Sequence, residues 1–157
     1  MGGLLLSANA GGAPGGGAVP GNAETGVGWP AGSMVLVVED DPLICMNLTQ
    51  MLEMMELEAV GLGRAEKALE WLDSHPAPAL MITDFTLPGM DGVALSVAAR
   101  QRYPDLPILV ATGHAESSIS LPPELRKGVG FLGKPYAMRH LEQAIRALWL
   151  GSRGGAD

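Results

Sequence analysis

From Met34 onward, short β-branched or aliphatic runs alternate with segments whose apolar residues recur every three or four positions. That alternation is what most narrows the folds open to this chain. Val35-Leu36-Val37-Val38 fits a strand buried on both faces. Asp41-Pro42 follows, with Asp suited to a helix N-cap and Pro to the first helical position. Ile44, Leu48, Met51, Leu52 and Met55 then form one apolar stripe through about residue 56. A weak strand over 57–60 leads to a helix over 64–74 that carries Ala68, Leu69 and Leu72. Residues 79–83 read as a third strand and 91–102 as a third helix, stopped by Tyr103-Pro104. Residues 108–111 and 129–132 are the last two strands, and 138–150 is a closing helix with Leu141, Ile145, Leu148 and Trp149 on its apolar side. Strands alternating with helices predict an α/β, doubly wound parallel sheet covered on both faces.

The first 33 residues are a different material. They hold eleven of the 22 glycines and a single charged side chain, Glu24. Such Gly/Ala/Pro-rich composition predicts a disordered leader over 1–33, with a folded domain over 34–150 and a flexible tail over 151–157. The leader lacks the basic start and long apolar run of a secretory signal. Met34, directly before the first strand, is a second candidate for the start of translation.

Composition excludes several functions. A single cysteine, Cys45, rules out a disulfide framework or a Cys-based metal cluster. No apolar run approaches the ~18 residues of a membrane span. Ten Lys+Arg against 17 Asp+Glu give a net charge of −7, which argues against nucleic acid as a direct ligand.

In doubly wound sheets ligands bind outside the carboxyl ends of the strands. Glu39, Asp40 and Asp41 follow the first strand here, Asp84 the third, Thr112 the fourth, and Lys134-Pro135 the fifth. Carboxylates crowded in one cleft repel each other unless a cation lies between them, and hard oxygen ligands suit Mg²⁺. A lysine and a hydroxyl opposite complete a pocket for a phosphoryl group, in which an aspartate is a candidate nucleophile.

The segments VLVVEDD (35–41), MITDFTLPGMDG (81–92), VATGHA (110–115) and FLGKPY (131–136) together resemble the receiver domain of two-component response regulators. The resemblance spans about residues 34–150 and rests on four motifs in the right order. It implies a flavodoxin-like five-stranded sheet of order 2-1-3-4-5. It further implies that Asp84 accepts a phosphoryl group from a phosphohistidine on a sensor histidine kinase or histidine phosphotransfer protein. By the same resemblance Asp40 and Asp84 would bind Mg²⁺, with Glu39 acting mainly through a water and Thr86 supplying a backbone carbonyl. Lys134 would pair with Asp84 and then with the phosphoryl oxygens. Thr112 would donate its hydroxyl to the phosphoryl group, and Phe131 would hold the position of the aromatic switch residue. Pro135 fits the family's Lys-Pro bond, which is often cis.

Two departures stand out. Leu121-Pro122-Pro123 interrupts the span of the fourth helix, which predicts a short, displaced or largely looped element there and puts the usual symmetric dimer through that face in doubt. Phe131 stands where Tyr is frequent, so its switching would depend on ring burial. Asp41 and Asp91 read as helix caps, Cys45 as a small buried hydrophobe and His114 as an exposed loop residue. Seven residues after Leu150 are too few for a DNA-binding module, so the expectation is a stand-alone, cytoplasmic regulator, monomeric or weakly dimeric. Its output would be protein contact, onward transfer, or a sink for phosphoryl groups. A non-phosphorylated interaction module is the alternative reading. A phosphohydrolase is disfavoured because Thr86, not a carboxylate, stands two residues after Asp84.

Overall fold

The computed structural model describes residues 25–113 and 119–154. Its five strands are β1 (Met34–Val38), β2 (Glu58–Leu62), β3 (Leu80–Asp84), β4 (Ile108–Thr112) and β5 (Val129–Gly133). The helices among the described residues are α1 (Pro42–Met54), α2 (Ala65–Ser74), α3 (Gly92–Arg102) and α4 (Met138–Gly154). All pairings are parallel, in the order β2-β1-β3-β4-β5. This is the expected doubly wound sheet.

The alternation of side chains along a strand divides the core in two. Val35 and Val37 of β1, with Leu80, Ile82, Leu109 and Ala111, pack beneath α1 and α4 against Leu48, Leu52, Leu141 and Ile145. Leu36 and Val38, with Met81, Ile108 and Val110, pack on the opposite side against Ala68, Leu72, Leu95 and Ala99 of α2 and α3. The three central strands are continuous apolar runs because both of their faces are covered. Edge strand β2, half exposed, is correspondingly the weakest of the runs.

Helix starts follow local chemistry. Asp41 Oδ1 accepts from the Leu43 and Ile44 amides, with Pro42 in the first turn, and Asp91 Oδ1 accepts from the Ala94 amide. Ile44 departs from its expected place in the buried stripe. It is 37% exposed, and Leu48, Leu52 and Met55 carry the packing instead.

Two segments differ from the sequence expectation in extent. Residues 25–33, expected to belong to a leader, pack on the domain: Val27 and Trp29 are buried in the α1/α4 core. Trp29 Nε1 donates to the Ile145 carbonyl at 3.2 Å. Residues 1–24 lie outside the described residues. At the other end α4 continues to Gly154 and takes in the start of the expected tail. Between β4 and β5 the described residues form a single 3₁₀ turn, Pro123–Leu125, as the two prolines required. In place of a helix, the Arg100 guanidinium reaches from α3 and donates to the carbonyls of Leu106, Glu124, Lys127 and Gly128 at 2.7, 3.0, 2.8 and 3.1 Å. His114 lies outside the described residues.

Candidate functional site

The chain crosses the sheet so that β1 and β3 are neighbours while their helices leave toward opposite faces, and a crevice opens at their carboxyl ends. Glu39 and Asp40 directly follow β1, and Asp84 is the last residue of β3. One carboxylate oxygen from each of the three lies within 4.8 Å of the others. Glu39 is buried, Asp84 partly buried and Asp40 exposed, so the cluster opens to solvent on one side.

Lys134, just past β5, enters this cluster. Its Nζ lies 2.9 Å from Asp84 Oδ1 and 3.7 Å from Glu39 Oε1. Burial alone lowers the pKa of the ammonium, but the two carboxylates outweigh it and hold the group above its ordinary value. Glu39 is shifted upward, first by burial and further by Asp84, while the Asp41 amide, donating to Glu39 Oε2 at 3.0 Å, works against the shift. The cluster sets three carboxylates against one ammonium, paired with Asp84 and Glu39, and the remaining negative charge, on hard oxygen donors, fits a divalent cation such as Mg²⁺.

The frame around these groups is made of main chain. The Phe85 amide donates to the Ala111 carbonyl, the Gly92 amide to the Phe85 carbonyl and the Lys134 amide to the Thr112 carbonyl, each at 2.8 Å. Gly92 leaves room for this turn, since a Cβ there would run into the Asp84 carbonyl oxygen. Thr112 ends β4, is buried, and is in register with Gly133, next to Lys134. Phe131 is partly buried against the α2/α3 side of the core and is in register with Val110, two residues before Thr112 on the same face. Thr86 is exposed in the loop after β3. The Lys134-Pro135 bond is cis.

Tyr136 was not singled out by sequence reasoning. Burial, with Glu39 and Asp84 adding to it, pushes its phenol up to about 12. Its position two residues after Lys134 was the available signal. Cys45, partly buried beside Gly61, is likewise raised by burial and by Glu39.

An open parallel sheet with an acidic, lysine-closed crevice at its carboxyl edge defines a doubly wound α/β domain built to receive a cation and an anion together. The family model of the response regulator receiver domain matches residues 35–146, and the chain belongs to that family. It is therefore a receiver domain of two-component signalling. Among curated relatives, it is 33% identical over 123 residues to the response regulator protein FleR of Pseudomonas aeruginosa, covering 78% of this chain and 26% of that protein. It is 31% identical over 116 residues to the DNA-binding transcriptional regulator NtrC of Escherichia coli, covering 71% and 24%. The chain thus spans about a quarter of these relatives' length. Among solved structures, a sensor protein from Polaromonas is similar with a TM-score of 0.67 at 29% identity, covering 76% of this chain and 97% of that one. The receiver domain of a Pseudomonas aeruginosa sensor histidine kinase, solved with magnesium coordinated in its active-site cleft, has a TM-score of 0.64 at 20% identity, covering 77% and 99%. Among the described residues no helix is long and apolar enough to cross a membrane.

Proposed function

We propose that Asp84 accepts a phosphoryl group from a phosphohistidine on a sensor histidine kinase or phosphotransfer protein, and that the domain acts as a switch read by a protein partner or by onward transfer. The observation that carries this reading is the 2.9 Å contact of Lys134 Nζ with Asp84 Oδ1 inside the Glu39–Asp40–Asp84 cluster. A carboxylate held beside a fixed ammonium is oriented before the donor arrives, and phosphoryl transfer depends chiefly on such positioning and charge neutralisation. Mg²⁺ held by Asp40 and Asp84, by Glu39 through water and by the Thr86 carbonyl would supply the balancing positive charge.

Lys134 then moves from pairing with the Asp84 carboxylate to pairing with the phosphoryl oxygens. Thr112 donates its hydroxyl to the same group, and its shift toward the pocket alters the space available to Phe131 on the same face of the sheet. The exposed Leu43, Ile44 and Met46 on the first turns of α1, beside Asp40, offer the donor protein an apolar contact next to the reacting carboxylate. The domain works in the cytoplasm, and its catalysis is confined to its own phosphorylation and dephosphorylation.

Incubation with a small phosphodonor and Mg²⁺, read by intact mass, tests the central claim. One added phosphoryl group, lost on removing Mg²⁺ or in Asp84→Asn, is the expected result. A group that survives Asp84→Asn overturns the assignment, and no phosphorylation at all leaves a non-phosphorylated interaction module.

A further inference from the structure

Residues 25–33 lie where the sequence predicted only a leader, and they are held by specific contacts. Val27 is 2% and Trp29 6% exposed. The Trp29 ring packs on Trp149 with centroids 4.9 Å apart and planes tilted by 54°, while its indole N–H donates to the Ile145 carbonyl at 3.2 Å. Arg146 Nη2 donates to the Gly26 carbonyl at 2.6 Å. At the other end, the Gly32 amide donates to the Glu56 carbonyl at 2.8 Å, and the Glu58 amide to the Ser33 carbonyl at 2.9 Å.

The segment is folded on itself before it meets the domain. The Thr25 amide donates to the Trp29 carbonyl, the Gly28 amide to the Thr25 carbonyl, and the Val27 amide to Thr25 Oγ1. Gly28 has φ +99°, and a Cβ there would run into the Trp149 indole. The surface that receives it is equally defined. It comprises Trp149, Ile145 and Arg146 on α4 and the turn at Glu56–Leu57 after α1, and Met54 and Leu150 lie exposed on the same two helices.

We propose that residues 25–33 are an internal ligand, and that the α1–α4 face is a peptide-binding site selective for a tryptophan preceded by glycine. The indole fills the apolar part of the site, its N–H meets a carbonyl, and the Arg146 guanidinium reads the Gly26 carbonyl three residues before the tryptophan. The internal turn lowers the entropy lost on docking, so a short segment suffices. The site lies on the face of α4 bearing Ile145, Arg146 and Trp149, and the phosphoacceptor cluster plays no part in it.

The test uses the full-length chain carrying Trp29→Ala and a synthetic peptide of residues 25–33 as the probe. The variant is expected to show amide exchange in α4 and at residues 56–58 raised by at least tenfold. Added peptide should bind it saturably, shift the peptide tryptophan emission to the blue and restore the slow exchange, whereas a peptide with Trp29→Ala should not bind. Full-length Trp29→Phe, which keeps a ring and loses only the N–H, guards against a variant that fails to fold and should show exchange between wild type and Trp29→Ala. Unchanged exchange in both variants overturns the proposal. So does raised exchange without saturable peptide binding, which would reduce the segment to ordinary core.

Discussion

The Lys134 amide donates to the Thr112 carbonyl at 2.8 Å, so the residue bearing the ammonium and the residue bearing the hydroxyl are tied main chain to main chain across adjacent strands. The two side chains proposed to act on one phosphoryl group are therefore based on backbone that the sheet itself spaces. Any displacement of the Thr112 main chain would reach Lys134, the residue next to Pro135, through this hydrogen bond.

Lys134→Met separates the two tasks of the lysine. Removing the ammonium from beside Asp84 and Glu39 leaves the carboxylates without their counter-charge, so Mg²⁺ is expected to bind more tightly, by about tenfold or less. The same variant should accept phosphoryl groups about 10²–10³-fold more slowly, because a positioned charge on the transferring group is lost. Calorimetric titration with Mg²⁺ and the rate of phosphorylation by a small donor check the two arms, and weaker Mg²⁺ binding would contradict the first.

Gly92→Ala reverses the usual sign of a helix substitution. Alanine within a helix is ordinarily favoured over glycine by about 1 kcal/mol. Here the new methyl would meet the Asp84 carbonyl oxygen and approach Phe85 Cα to 3.0 Å, against backbone that cannot rotate away. A net destabilisation of about 1–3 kcal/mol in urea unfolding is expected, with slower phosphorylation because Asp84 itself is displaced.

Tyr136 provides the pH prediction. Its phenol is raised from an ordinary 10 to about 12, so its neutral form is favoured in the folded state. The associated stability is complete below pH 10 and is lost as pH rises from 10 toward 12. Ultraviolet titration near the phenolate band should show a tyrosine ionising near pH 12 that is absent in Tyr136→Phe. Glu39→Gln should move that step downward without returning it to 10, since burial, the leading cause, remains.

Arg100→Met keeps the aliphatic stem and removes the guanidinium from four carbonyls in a site where the arginine is 9% exposed. A loss of about 3 kcal/mol or more is expected in chemical denaturation. Arg100→Lys should recover little of it, because a single ammonium lacks the planar fork that reaches both Leu106 and Gly128.

The parallel doubly wound sheet, the helix caps at Asp41 and Asp91, and the gathering of Glu39, Asp40, Asp84 and Lys134 were legible because each rests on local pattern plus topology, whereas the strand order came with the resemblance to receiver domains. The looped span after β4 was legible from Pro122-Pro123. The docking of residues 25–33 was not: Val27 and Trp29 are isolated apolar residues in glycine-rich sequence, and Trp29 depends on Trp149, 120 positions away. Arg100 was equally hidden. An arginine near a helix end reads as solvent-facing, and its partners are carbonyls, which leave no mark on side-chain pattern. Ile44 occupied a helical stripe by spacing, yet α1 has only one covered side and Ile44 falls at its rim.

The carbonyls gathered by Arg100 have a consequence for how this surface changes over generations. Glu124 and Lys127 serve the scaffold through their main chain while their side chains, with that of Arg126, stay exposed. Leu125 is fixed by burial in the core and Gly128 by its φ of +72° and by the guanidinium, which a Cβ there would crowd at 2.8 Å. Recognition along this stretch can therefore be rewritten one residue at a time at little cost to folding.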